Sequence, residues 1–172
     1  LLYENQDVNQ AIHYFTKSAE NNHPEAQYHL GLIYTEGKYV KQDINTAIDY
    51  FWFSADQNYS EAQYKLGEIY YEGVFVIQDI QKAIRYFTTA ADQNHSKSQF
   101  YLGIIYYEGK FVRKDLIKAI SYYTLAADQN YPEALYNLGS IYYEGDQVPQ
   151  DINKSIHYFL YSSIQNYSKA QY

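Results

Sequence analysis

The stretch DIQKAIRYFTTAADQNHSKSQFYLGIIYYEGKFVRK, residues 79–114, decides the fold. Ile80, Ala83, Ile84, Phe87, Ala90 and Ala91 recur at helical spacing on one face. Asp79 stands just before them, where a carboxylate accepts an orphan backbone N–H and starts a helix. Asn94 follows, and asparagine tolerates the left-handed backbone at a helix C-terminus. A second helix opens at Ser96, with Gln99 completing a capping-box pattern. Its apolar face is Ser98, Leu102, Ile105 and Tyr106, and Gly109 ends it. The loop beyond carries Val112, expected to tuck beneath the helix pair.

The rest of the chain repeats this phrase every 36 residues. Residues 43–78 and 79–114 are identical at 21 of 36 positions, which removes coincidence. Asp7, Asp43, Asp79, Asp115 and Asp151 mark the starts. The units read as 7–42, 43–78, 79–114 and 115–150, with a partial unit 151–172 and with 1–6 as the end of a preceding unit. Asn22, Asn58, Asn130 and Asn166 repeat Asn94, and Gly37, Gly73 and Gly145 repeat Gly109. Ser60 with Gln63 and Ser168 with Gln171 repeat the capping pattern, while Pro24 and Pro132 take the serine's place elsewhere. Val40, Val76 and Val148 repeat Val112. Gly31, Gly67, Gly103 and Gly139 fall inside the second helices, where glycine costs about 1 kcal/mol relative to alanine. Close approach of a neighbouring helix is the reason to expect. Paired helices that stack and share a core make an all-α solenoid.

Composition narrows the function. Twenty acidic against 13 basic residues give a net charge of -7, and no basic run exists to neutralise phosphates. Nucleic acid and anionic membrane are poor partners for such a chain. Cysteine is absent, so neither a disulfide framework nor a thiolate metal site is available. No apolar run reaches the ~20 residues of a membrane-spanning helix. Methionine is also absent, even at position 1, so the sequence reads as an excerpt or a processed product. A reducing, cytoplasmic setting is the favoured location. Of the aromatic residues, 24 are tyrosine, 8 phenylalanine and 1 tryptophan.

At Ala62, Leu66, Gly67, Tyr70, Gly73 and Val76, and on through Lys82, Ala83, Tyr86, Phe87, Ala90 and Ala91, the chain resembles the Sel1-like repeat family, relatives of tetratricopeptide repeats. The resemblance covers 7–172 and implies a right-handed α/α superhelical solenoid of helix-turn-helix repeats. It also implies scaffold or adaptor work: binding a peptide or protein on the concave face. An alternative is a structural spacer or regulatory array within a larger signalling protein, for example one fused to a kinase. Some secreted bacterial members carry a disulfide per repeat and are linked to β-lactams. A β-lactam hydrolase-like activity is therefore a remote alternative, and the absence of cysteine separates this chain from that branch.

By that resemblance the outer side of each second helix lines the concave groove. The groove positions form stripes: Tyr28, Tyr64, Phe100, Tyr136 and Tyr172; Thr35, Tyr71, Tyr107 and Tyr143; Glu25, Glu61, Lys97 and Glu133; and Leu32, Glu68, Ile104 and Ser140. An aromatic, mildly acidic groove suits a peptide or helix with apolar anchors. The competing reading is that these aromatics pack between repeats. On the first helix, Gln81, Arg85, Thr88 and Asp92 look solvated, while Trp52 and Phe53 break the pattern as a packing variation or a second contact.

No catalytic constellation emerges. His13, His29 and His157 are scattered, and His23 and His95 share a repeat position with Tyr59 and Tyr131, which argues against metal ligation. Glu36, Glu72, Glu108 and Glu144 recur in every unit and so serve the unit. With no nucleophile beside a base and no phosphate loop, the expectation is a non-enzyme without cofactor or metal. Unmatched solenoid ends also allow end-to-end self-association.

Overall fold

A computed structural model describes residues 2–146 and 148–165, with side chains from residue 10 onward. Among the described residues there are nine helices and no strand: α1 Leu2–Glu20, α2 Pro24–Glu36, α3 Ile44–Asp56, α4 Ser60–Glu72, α5 Ile80–Ala91, α6 Ser96–Glu108, α7 Leu116–Asp128, α8 Pro132–Glu144 and α9 Ile152–Ile164. This is an all-α repeat fold. The helices fall into two compact units, 1–90 and 91–172. The expectations for Asn166, the Ser168–Gln171 pair and Tyr172 lie outside the described residues.

Each turn repeats one set of local signals. Asp43, Asp115 and Asp151 cap their helices by accepting from the N–H of Thr46, Lys118 and Lys154, and Asp79 does the same for Lys82. Asn22, Asn58, Asn94 and Asn130 all adopt positive φ, between 60° and 65°, between the helices of a pair. Gly37, Gly73, Gly109 and Gly145 close the second helices in the left-handed region. The backbone N–H of Asp43, Asp79, Asp115 and Asp151 then donates to the carbonyl of Tyr34, Tyr70, Tyr106 and Tyr142, which staples each loop.

Two local features stand out. First, α1 runs through Asp7 without a break, so residues 2–6 are helical and continuous with it. Elsewhere a glycine–valine loop precedes the aspartate, whereas LLYENQ holds neither residue and is rich in helix formers. Second, Ser60 and Ser96 are not capping residues; the N-caps are Tyr59 and His95. His95 caps through Nδ1, which accepts from the Ser98 N–H at 3.2 Å. Gln63 and Gln99 turn inward instead. Gln63 Nε2 donates to the Ala55 carbonyl (3.2 Å) and to Asn58 Oδ1 (3.1 Å), and Gln99 does so to Ala91 and Asn94. A buried amide that ties down the turn outweighs a cap in water.

In residues 1–90 the core is built from Ala19, Ala26 and Leu30, then from Ala47, Phe51, Ala62, Leu66 and Ile69. Val76 packs against the second cluster from its loop. In residues 91–172 it is built from Ala119, Tyr123, Ala126, Ala134, Leu138 and Ile141, with Val148 beside it. Small residues at the helix contacts bring the backbones close, and large rings fill the spaces between. Gly31 receives the ring of Phe51, Gly67 that of Phe87 and Gly103 that of Tyr123. Each glycine is thus a seat for an aromatic ring on the next first helix. Buried serines are also matched across repeats: the hydroxyl of Ser54 donates to the Pro24 carbonyl (2.6 Å) and that of Ser162 to the Pro132 carbonyl (2.8 Å).

Candidate functional site

The second helices carry the stripes expected to meet a partner. In residues 1–90 these are α2 and α4. Glu25 is exposed at the start of α2. Tyr28 is half-buried, its ring 5.5 Å from that of Tyr59 and 5.9 Å from that of Phe51. Burial, with Glu61, Tyr59 and Glu68 nearby, raises the pKa of its hydroxyl. Leu32 packs against the core, and the Thr35 hydroxyl bonds to the Gly31 carbonyl of its own helix at 2.8 Å. Glu68 accepts from both Tyr64 (2.5 Å) and Lys65 (2.6 Å). Tyr71 is half-buried with its ring 6.3 Å from that of Phe87.

Tyr64 departs from the expectation. It is 6% exposed, its ring lies 6.0 Å from that of Phe87 and its hydroxyl is held by Glu68. It is a packing residue rather than an open contact, because the helix after it presents an aromatic ring to the same spot.

In residues 91–172 the corresponding helices are α6 and α8. Lys97 is exposed. Phe100 sits 5.1 Å from Tyr131 and 5.9 Å from Tyr123, ring to ring, and Ile104 packs on the same core. The ring of Tyr107 carries the Lys114 ammonium at 5.1 Å. Burial, with Glu144 and Asp146 close by, raises its pKa, and Glu144 is also its hydrogen-bond partner. Tyr107, Lys114, Leu116, Ile141, Glu144 and Asp146 enclose a small cavity of about 50 Å³. Tyr136 lies 5.4 Å from Phe159, Ser140 bonds back to the Tyr136 carbonyl, and Glu133 is half-buried. Tyr143 is 59% exposed. The stripes therefore divide into ring-packed positions and open ones, the open ones being Glu25 and Lys97.

Several recurring roles are not visible in the periodicity. Tyr34 stacks on Tyr50, Tyr70 on Tyr86, Tyr106 on Tyr122 and Tyr142 on Tyr158, with interplanar angles between 5° and 14°. Lys82, Lys118 and Lys154 lie over Tyr70, Tyr106 and Tyr142 at 4.8–5.0 Å, so cation–π contacts cover the stacks. Gln57 Nε2 donates to Gln27 Oε1 and Gln129 Nε2 to Gln99 Oε1, both at 2.7 Å, linking one repeat to the next. The signal was the recurrence of glutamine itself at 27, 63 and 99 and at 57, 93 and 129. A cavity of about 580 Å³ opens beside α1 and α2, where Tyr14 is 68% exposed. Among the described residues no group of three His, Asp or Glu stands ready to hold a metal ion, and no helix is long and apolar enough to cross a membrane.

The family model for the Sel1 repeat matches residues 2–23, 24–59, 60–95, 96–131 and 132–167. The chain belongs to the Sel1 repeat family. These family boundaries cut each repeat at the start of its second helix, a different phase of the same period. Among solved structures, a Sel1 repeat protein from Oxalobacter formigenes is 32% identical with a TM-score of 0.88, over 94% of this chain and 66% of that one. A protective antigen of uropathogenic Escherichia coli strains, displaying the SLR fold, is 30% identical with a TM-score of 0.89. That match covers 92% of this chain but 34% of the antigen, so the chain spans about a third of its length. Cysteine-rich protein B of Helicobacter pylori is 27% identical with a TM-score of 0.59, over 78% of this chain and 96% of that one. No match was found among curated proteins.

Proposed function

We propose that this Sel1 array is a protein-interaction scaffold that binds a peptide or protein segment along the outer side of its second helices and catalyses no reaction. The observation that carries this reading is the makeup of that side within each unit. Half-buried rings (Tyr28 and Tyr71; Phe100 and Tyr107) form a fixed apolar floor beside the open side chains Glu25 and Lys97. Rings already immobilised by packing offer contact area at little entropic cost, which favours recognition. The membership in a family of interaction repeats supports the same reading.

A displayed library of random peptides, selected on the immobilised array, tests it. Selected peptides should lose binding to a Glu25→Lys, Lys97→Glu variant of equal helicity. Equal retention by the variant would place binding elsewhere. A library that enriches nothing would favour a second reading, a spacer within a longer signalling protein. The observation behind that reading is that Tyr64 and Tyr136 spend their rings on the next repeat.

A further inference from the structure

In a repeat array, a residue that recurs serves the fold, while one that breaks the pattern is released from that duty. Trp52 is the single tryptophan, and its repeat positions hold Thr16, Thr88, Thr124 and Leu160. Arg85 is another departure, with His13, Asp49, Ser121 and His157 at its positions. The two departures come together. Trp52 on α3 and Arg85 on α5 line one groove of about 440 Å³, with Asp56, Lys82 and Tyr86. The groove is lined from α3, α4 and α5, with Gln63 and Tyr70 of α4 beside the first-helix residues, and holds none of the stripe residues. Trp52 is 49% exposed and Arg85 is also exposed.

The groove's charge is opposite to that of the chain. Arg85 and Lys82 are the two cations among its lining residues and Asp56 the one acid, on a protein whose total charge is -7. Lys82 is held in place, its ammonium 4.8 Å above the Tyr70 ring and 3.8 Å from the Asp79 carboxylate. One repeat earlier, Thr46 and Asp49 replace Lys82 and Arg85. Two repeats later, between α7 and α9, Thr124 replaces Trp52, and His157 replaces Arg85 and packs 4.5 Å from the Tyr161 ring. The helix hairpins are the same in each case, so the fold does not require the indole or the cation pair.

We propose that this groove binds an extended segment of a partner protein that carries a carboxylate side chain beside an apolar one. Trp52 takes the apolar side chain against its face. The guanidinium of Arg85 grips the carboxylate with two parallel N–H donors, and Lys82 adds a second charge. Tryptophan and arginine are the side chains that most often dominate such interfaces. With Lys82 already beside Asp79, Arg85 is the cation left to meet one carboxylate, and a phosphate of about −2 would meet more repulsion from Asp56 than a single negative charge does. None of the stripe residues Glu25, Tyr28, Tyr64 or Tyr71 lines this surface.

Because the chain has one tryptophan, its indole N–H gives one resonance that reports on the groove. The probes are N-acetylated, C-amidated octapeptides with one glutamate followed at varied spacing by leucine, phenylalanine or tyrosine. Matched peptides carry glutamine or phosphoserine instead. The indole resonance should shift saturably with a glutamate peptide and stay in place with its glutamine counterpart. Arg85→Ser, which installs the residue found at position 121, should weaken that peptide about tenfold. Trp52→Thr, which installs the residue found at 88 and 124, should abolish binding read by anisotropy of the labelled peptide. The repeat already accommodates both residues, so folding is preserved. The proposal is overturned if no glutamate peptide moves the indole, if glutamine peptides bind equally, if Arg85→Ser binds as well as the original, or if the phosphoserine peptides bind tighter.

Discussion

The ring of Phe87 lies against Gly67, so close that a Cβ on residue 67 would meet Phe87 Cδ1 at 2.6 Å. Phe87 is fully buried. The same seat is made by Gly31 for Phe51 and by Gly103 for Tyr123. The glycine costs its helix about 1 kcal/mol, and the repeat recovers it through a large ring buried between helices.

Gly67→Ala is therefore expected to destabilise the array by about 1–3 kcal/mol through overpacking, although alanine is the better helix former. Urea unfolding checks this. Shortening the opposing ring, as Phe87→Leu in the Gly67→Ala background, should recover part of the loss. A Gly67→Ala protein of unchanged or greater stability would show that the ring is free to shift.

Gln57 and Gln27 form the link between consecutive repeats and should be energetically coupled. A double-mutant cycle with Gln27→Leu and Gln57→Leu is expected to give a coupling of about 0.5–1.5 kcal/mol, the net worth of a part-buried neutral hydrogen bond. Leu135 occupies the position of Gln27 in a later repeat, so leucine fits the site sterically. A coupling of zero would mean that water replaces this bond without loss.

Acid should weaken the cap at Asp43. The N–H and hydroxyl of Thr46 hold the Asp43 carboxylate, and these bonds lower its pKa from the ordinary value. A group depressed in the folded state stabilises above its unfolded pKa and loses that contribution as pH falls through the folded one. Asp43→Ser keeps a capping oxygen that does not titrate. The difference in unfolding midpoint between the two proteins should shift in favour of the variant as pH falls below the unfolded aspartate value. A difference independent of pH would contradict the assignment.

Alkali should act through the tyrosines. Burial raises the pKa of Tyr28, Tyr50, Tyr59, Tyr86, Tyr107, Tyr122 and Tyr158, with neighbouring acids or phenols adding to it in each case. A phenol raised in the folded state contributes fully below its unfolded pKa and loses that contribution as pH rises through the folded one. Phenolate absorbance and helix circular dichroism should therefore change together above about pH 10, as unfolding releases several phenols at once. Complete phenolate formation with the helices intact would show that these hydroxyls are not held by the fold.

The sequence by itself determined the helices and their ends. Asp43, Asn58 and Gly73 act through their own backbone neighbours, and local signals of that kind survive without tertiary context. It also determined that Gly67 must face something close, because an unfavourable residue kept in every repeat needs a partner. What sat against that glycine was a tertiary matter, since Phe87 lies 20 positions further along and meets it only when the next hairpin stacks. The same limit explains Gln63, which matches a capping box in one dimension and becomes a buried tether once Ala55 and Asn58 stand above it. Tyr64 and Tyr71, seven positions apart, are indistinguishable on a helical wheel of the second helix. Stacking buried one against Phe87 and left the other half-buried, because exposure depends on which side chains the neighbouring repeat brings to each position. In the same way the pattern displayed Trp52 and Arg85 only as two unrelated departures, and the fold of α3, α4 and α5 put them in one groove.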